Sequence, residues 1–227
     1  MQKKFDYYLY QNILLEKYES IYFFIPKVAC STLKKVCSDI LSLEAGPGDL
    51  NQEVHEQDFP CVKQGDLRTM YSDYFKFGFV RNPWDRLVSC FHSKILTDRN
   101  INNAYFKNGV SNALSGFSQF KAGMNFKDFA VEIAKIPDSD SESHFLSQHK
   151  FITDESGKLM VDFLGRFENL EQDFACICKR IGLEGVKLPH LMKSARKENY
   201  REHYDKKTKE LIGERYDTDI SMFDYNF

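Results

Sequence analysis

The chain is 227 residues long, 42% hydrophobic and 28% charged, with a formal net charge of -2. That length buries a sizeable core within one domain, and the composition excludes a largely disordered chain. The near-neutral balance excludes indiscriminate nucleic-acid binding, which needs a basic excess on one face. No apolar run is long enough to span a bilayer. Lys3, Lys4, Asp6, Glu16, Lys17 and Glu19 break up any signal-peptide core, so a soluble, cytoplasmic protein starting at Met1 is expected.

In chain order, a short helix is expected over residues 7–18, within an N-terminal helical extension (1–19) of a single domain covering 1–227. The run IYFFI at 21–25 is continuous, aromatic and β-branched, the pattern of a strand buried in a parallel sheet. After Pro26 the apolar positions Leu33, Val36, Cys37, Ile40 and Leu41 share one face of a helix. GPGDLNQ at 46–52 reads as a loop, residues 63–74 as a helix, and KFGFV at 76–80 as a second strand. Pro83 suits the first turn of a further helix with Trp84, Leu87, Val88, Phe91 and Ile95 on its core face.

Residues 98–123 are rich in Asn, Ser and Gly and predict an irregular excursion, a place where substrate contacts are often carried. A helix near 126–135 and the polar stretch PDSDSES follow, then MVDFLGRF as a third strand. Leu170, Phe174, Ile177 and Ile181 mark the next helix. Leu211, Ile212 and Tyr216 mark a last one starting near Asp205. Strands alternating with helices across short turns predict an α/β fold: three layers, a mainly parallel central sheet, and a P-loop-like strand-turn-helix nucleotide site.

Most of Cys30, Cys37, Cys61, Cys90, Cys176 and Cys178 sit in apolar periodic segments, which predicts reduced thiols. No pair has C-x-x-C spacing and the histidines do not cluster around them, so no metal site is expected. Two turns stand out instead, one after each of the first two strands and therefore at the same sheet edge. In the first, Lys27 adds a full charge to a helix N-terminus, and Ser31 and Thr32 can either cap the helix or donate hydroxyls to an anion. In the second, Arg81 leaves its strand just before Pro83, with Ser89 two helical turns on. Together they offer a guanidinium and a hydroxyl to a second phosphate. Arg86 is expected to pair with Asp85 or a nearby acid. The first turn contains no glycine, which sets it apart from the glycine-rich phosphate loop.

FIPKVACSTLKK and FGFVRNPWDRLVSCFHSK resemble the two nucleotide-binding signatures of the carbohydrate sulfotransferases, in the branch that includes the chondroitin 4-sulfotransferases. SHFLSQ, DFLGRFENLEQDF and YREHYDKKTKELIGERYDTDISMFDY are similar in kind and order to later segments of that family. Leu33 stands where an aromatic residue is frequent, and Asn82 where an acid is. The resemblance implies 3′-phosphoadenosine 5′-phosphosulfate as co-substrate, no metal, and a glycan or similar hydroxyl-bearing acceptor. It implies that Lys27, Ser31 and Thr32, with backbone amides around Ala29 and Cys30, hold the phosphosulfate, and that Arg81 and Ser89 hold the 3′-phosphate.

Sulfuryl transfer to a hydroxyl needs in-line geometry, positive charge at the leaving oxygen, assigned to Lys27, and a base. His55 and His144 are the two candidate bases by position. Glu53 and Glu56 flank His55 and could orient or replace it. His92, His149, His190 and His203 are expected to be packed or superficial, with His92 the one that could face the active edge. Glu168 is expected to be structural, while Arg196 and Lys197 could close over the nucleotide or acceptor. Two other readings stay open: a nucleotide or small-molecule kinase, which lacks a glycine-rich loop and an evident magnesium acid here, and a binding module that keeps the nucleotide site without catalysis.

Overall fold

Asn12–Leu15 is a strand, β1, where the sequence predicts part of a helix. Ile13 and Leu15 are almost fully buried, and the segment turns back through a 3-10 helix at Glu16–Tyr18 and a left-handed Glu19. It then pairs antiparallel with β2, Ser20–Phe23, in the register Leu15↔Ser20. Pairing with a buried neighbour outweighs a weak helical spacing, because strand preference is set by the packing surface more than by the backbone itself. Residues 7–11 of the expected helix lie outside the described residues. The computed structural model describes residues 12–43, 55, 57–183, 185–189 and 199–227.

The described residues divide into two units, the first drawn from Met1–Arg81 and Gln148–Ala195, the second from Asn82–Ser147 and Arg196–Phe227. In the first unit β2 runs parallel to β4 (Phe75–Val80), and β4 runs parallel to β7 (Phe163–Arg166). β3 (Cys61–Val62) extends the antiparallel edge beyond β1, giving the order β3-β1-β2-β4-β7. The three strands expected from IYFFI, KFGFV and MVDFLGRF are therefore the parallel heart of the sheet.

Strand alternation puts Tyr22 and Phe77 on one sheet face. There they share an apolar seam with Leu33 and Val36 of α1 (Cys30–Ile40) and with Phe174 and Ile177 of α5 (Leu170–Ile181). Phe23 and Gly78 lie on the opposite face, where Ile152 of α4 (His149–Ile152) meets them. Gly165 is required by a close approach: a Cβ there would stand 2.4 Å from the Phe79 ring. The helix expected over 63–74 is instead a 3-10 segment, Gln64–Arg68, followed by turns. Within that segment Leu67 alone is buried, and Met70 is 73% exposed, so no apolar stripe exists to hold an α-helix.

The second unit is helical. α2 (Pro83–Lys94), α3 (Phe126–Ala134) and α6 (Lys206–Arg215) enclose a core that includes Trp84, Leu87, Val88, Phe129, Ile133, Phe145, Ile212 and Tyr216. α7 (Asp217–Met222) closes the chain. The stretch 98–123 is more regular than its composition suggests. Phe106–Lys107 (β5) and Val110–Ser111 (β6) form a hairpin around Asn108-Gly109, both left-handed, as a two-residue turn requires. A Cβ at Gly109 would lie 2.3 Å from the Asp98 carbonyl, so the turn is packed against its own loop, and Leu114 and Phe120 join the core. No described helix is long and apolar enough to cross a membrane. No disulfide joins the six cysteines, all of which lie among the described residues.

Candidate active site

The turn from β2 into α1 is strained. Lys27 and Ala29 both have left-handed backbones, with φ of 70° and 49°, a region that costs a non-glycine residue about 1–2 kcal/mol. Ala29 is the N-cap of α1, and no side chain caps the helix start. A helix start that no side chain caps leaves first-turn N–H groups without intrahelical partners, which favours an anion there. Ser31 does not act as the cap. Its hydroxyl lies 3.0 Å from Nε2 of His55, whose ring meets Phe24 edge-on. Ser31 and Thr32 are buried in the first turn, and Leu33 is a core residue of α1.

Cys30 completes this cluster. Burial alone would push its thiol up, but a hydrogen bond with His55, the charges of His55 and Lys27 and a Lys27 backbone hydrogen bond bring it down from 9.0 to about 6. Cys37, two turns along the same helix, is pushed up by burial to about 12. One helix thus carries a thiol held below the usual range at its start and one pushed above it in its body. Lys34 is buried with its ammonium over the Phe24 and Phe59 rings, 4.3 and 5.4 Å from their centroids.

Arg81 is brought to the same turn. It is buried, its Nη1 donates to the Lys27 carbonyl at 3.1 Å, and its guanidinium stacks 3.9 Å above the Phe167 ring. Its backbone is held by Gln148, a residue that pattern reading passed over. Within the first unit, therefore, Lys27, Ala29, Cys30, Ser31, Thr32, His55 and Arg81 belong to one neighbourhood.

Ser89 and His144 belong to the second unit. Ser89 is half-buried on α2 between the fully buried Val88 and Cys90. His144 is backed by Glu142, whose carboxylate oxygens lie 2.8 and 2.9 Å from Nδ1 while one of them also accepts the His144 backbone N–H at 2.9 Å. Burial would raise the Glu142 carboxyl, but His144 and the surrounding hydrogen bonds hold it down at about 2. A carboxylate on Nδ1 orients a histidine to act as a base. The signal was in the sequence as an acid two residues before the histidine in SESH.

Arg86 is fully buried and donates to the carbonyls of Leu146 and Ser143 at 2.7 and 3.2 Å, so it frames the His144 segment from within. Arg215 holds the same segment by donating to the Ile136 carbonyl, Asp138, Ser141 and Ser147. Asn82 caps α2 by accepting from the backbone of Trp84 and Asp85 and donates to the Asn226 carbonyl, the former a role an acid fills as well. His92 and His203 pack edge to face against each other. Glu53, Glu56, His190, Arg196, Lys197 and the expected loop at 46–52 lie outside the described residues. Among the described residues no group of three or more histidine, cysteine or acidic side chains is gathered as a metal would need.

A strained turn with a lysine before a helix start that no side chain caps, joined by a buried arginine, offers groups of the kind that suit an anion. The pattern described as "Sulfotransferase family" matches residues 11–226. The chain belongs to the sulfotransferase family. It is similar to carbohydrate sulfotransferase 14 of Danio rerio, 27% identical with 96% of this chain and 63% of the relative covered. Carbohydrate sulfotransferase 14 of Mus musculus is 26% identical over 85% of this chain and 51% of its own length. Carbohydrate sulfotransferase 11 of Danio rerio is 26% identical over 80% and 56%. The chain thus spans between half and two thirds of these relatives. No solved structure matches it significantly. The family match takes in both units, so the parallel sheet with its basic turn and the helical second unit are both parts of a sulfotransferase sequence.

Proposed function

We propose that the protein is a sulfotransferase moving a sulfuryl group from 3′-phosphoadenosine 5′-phosphosulfate to a hydroxyl of a carbohydrate, with both units forming one sulfotransferase domain. The carrying observation is the turn between β2 and α1, where Lys27 and Ala29 keep left-handed backbones before a helix start that no side chain caps. Lys27, the amides around Ala29 and Cys30, and the hydroxyls of Ser31 and Thr32 suit a phosphosulfate. Arg81 suits the 3′-phosphate. Ser89 joins it on the sequence motif alone. The carbohydrate acceptor rests on the names of the relatives.

In this reading the acceptor oxygen attacks sulfur in line. A bond forms from acceptor oxygen to sulfur, the bond from sulfur to the 5′-phosphate oxygen breaks, and the acceptor proton passes to a base. Lys27 supplies positive charge at the leaving oxygen, which is where charge develops. The base is His144, because Glu142 holds its Nδ1, whereas His55 is engaged with Ser31 and Cys30 of the donor turn. Calorimetry with 3′-phosphoadenosine 5′-phosphate and with ATP tests the donor. Binding of the first and transfer of labelled sulfate to a panel of glycans are expected. Tight ATP binding with no response to the adenosine bisphosphate would overturn the reading.

A further inference from the structure

Gln148 has no part in the transfer scheme, yet it is fully buried and both ends of its amide bond to the backbone of Arg81. Its Oε1 accepts the Arg81 N–H at 2.9 Å, and its Nε2 donates to the Arg81 carbonyl at 2.8 Å. Val80↔Arg166 is the last pair of the β4 and β7 ladder, so Arg81 is the first residue with no strand partner on that side. The amide supplies both hydrogen bonds that a further strand residue would have made, and a buried main chain needs them. This fixes where the Arg81 side chain starts. From there the guanidinium lies over Phe167 and reaches the carbonyl of Lys27, the left-handed residue of the donor turn.

We propose that Gln148 is a positioning residue of the nucleotide site. By holding the Arg81 main chain it aims one guanidinium at both the 3′-phosphate and the Lys27 carbonyl, which couples 3′-phosphate recognition to the conformation of the turn that carries the catalytic lysine. This rests on the donor assignment made under the proposed function. A nucleotide without the 3′-phosphate then loses more than one contact, because the link that Arg81 makes between that phosphate and the Lys27 carbonyl is lost with it.

The test compares 3′-phosphoadenosine 5′-phosphate with adenosine 5′-phosphate on wild type, Gln148→Leu and Gln148→Glu, together with kcat and donor KM. Gln148→Leu keeps the volume and removes both hydrogen bonds. It is expected to lower the preference for the 3′-phosphorylated nucleotide about tenfold or more, with adenosine 5′-phosphate affinity little changed, while donor KM rises and kcat falls together. Gln148→Glu keeps the acceptor but, ionised, has no donor for the Arg81 carbonyl. Its preference should recover toward wild type as the pH falls and the carboxyl regains an O–H. A Gln148→Leu variant that keeps the wild-type preference, or that weakens both nucleotides equally, overturns the positioning role, as does a Gln148→Glu variant with no pH-dependent recovery. A wild type indifferent to the 3′-phosphate overturns the donor assignment itself and the positioning role with it, and that result is read on wild type alone.

Discussion

The turn between β2 and α1 and the segment Asp138–Ser147 both present polar groups, and they are built in opposite ways. In the turn the work is done by main chain: two left-handed non-glycine residues and a helix start without a side-chain cap. In the segment it is done by distant side chains. Arg86 reaches 60 residues ahead to the Leu146 carbonyl, and Arg215 reaches back 77 residues to Asp138. The turn holds strain, and strain of this kind clusters at binding and catalytic sites, as proposed for this one. The segment holds satisfied hydrogen bonds, and those serve the fold first. Mutations in the turn should therefore change chemistry more than stability, and mutations in the arginine clamp the reverse.

The largest effect is expected at Lys27. Lys27→Ala should lower transfer by about a hundredfold to a thousandfold, as when one group stabilising a developing charge is removed. The melting temperature should stay near wild type, because the left-handed backbone gains nothing from lysine. Steady-state transfer and calorimetric melting measure the two halves. A variant with wild-type rate, or one that fails to fold, would break the contrast between the two regions.

Next comes Arg215→Met. The Arg215 side chain is 8% exposed and joins four groups of the 136–147 region, so its loss removes a donor from the buried Ile136, Ser141 and Ser147 acceptors and leaves the half-buried Asp138 carboxylate without its cation. A destabilisation of about 3–5 kcal/mol is expected, read from urea unfolding. A loss below about 1 kcal/mol would mean that the clamp is redundant with Arg86.

A pH titration sharpens the comparison further. Glu142 sits at about 2 in the folded chain against an ordinary 4.5. Because the folded value is the lower one, its contribution is fully present above about pH 4.5 and is lost as the pH falls toward 2. That contribution is roughly 3 kcal/mol at most. Glu142→Gln should flatten the loss over that window and also weaken transfer if His144 is the base. An unchanged acid limb in the variant would show that Glu142 carries no such linkage.

The three parallel strands were legible because continuous apolar runs of Tyr22, Phe23, Phe77, Phe79 and Leu164 leave little choice but a buried sheet. The two basic turns were legible because their chemistry is local in sequence. β1 was not, since four residues of NILL carry no period and take their structure from Ser20–Phe23 across a tight turn. The hairpin at Asn108-Gly109 carried its dipeptide signal inside a stretch whose composition reads as loop. Gln148 and Glu142 were missed for a different reason. An amide that pairs with a backbone 67 residues away leaves no mark on its neighbours, and an acid in a run of serines and aspartates looks like solvated loop.

The smallest prediction isolates the strain itself. Ala29 takes φ of 49° at the N-cap of α1, and its methyl group is what makes that conformation unfavourable. Glycine adopts the same backbone freely but also has more freedom to lose on folding, which offsets part of the relief. Ala29→Gly should therefore stabilise the protein by about 0.5–1 kcal/mol, measured by chemical denaturation against the Arg215→Met variant in the same series. A sequence with alanine here gives up that stability, as the proposed role of the turn in holding the donor would require. If Ala29→Gly instead destabilises by 1 kcal/mol or more, the left-handed backbone is imposed by favourable packing of the methyl group. The turn would then belong with the arginine clamp as a structural element, and the contrast between the two regions would fail at its first term.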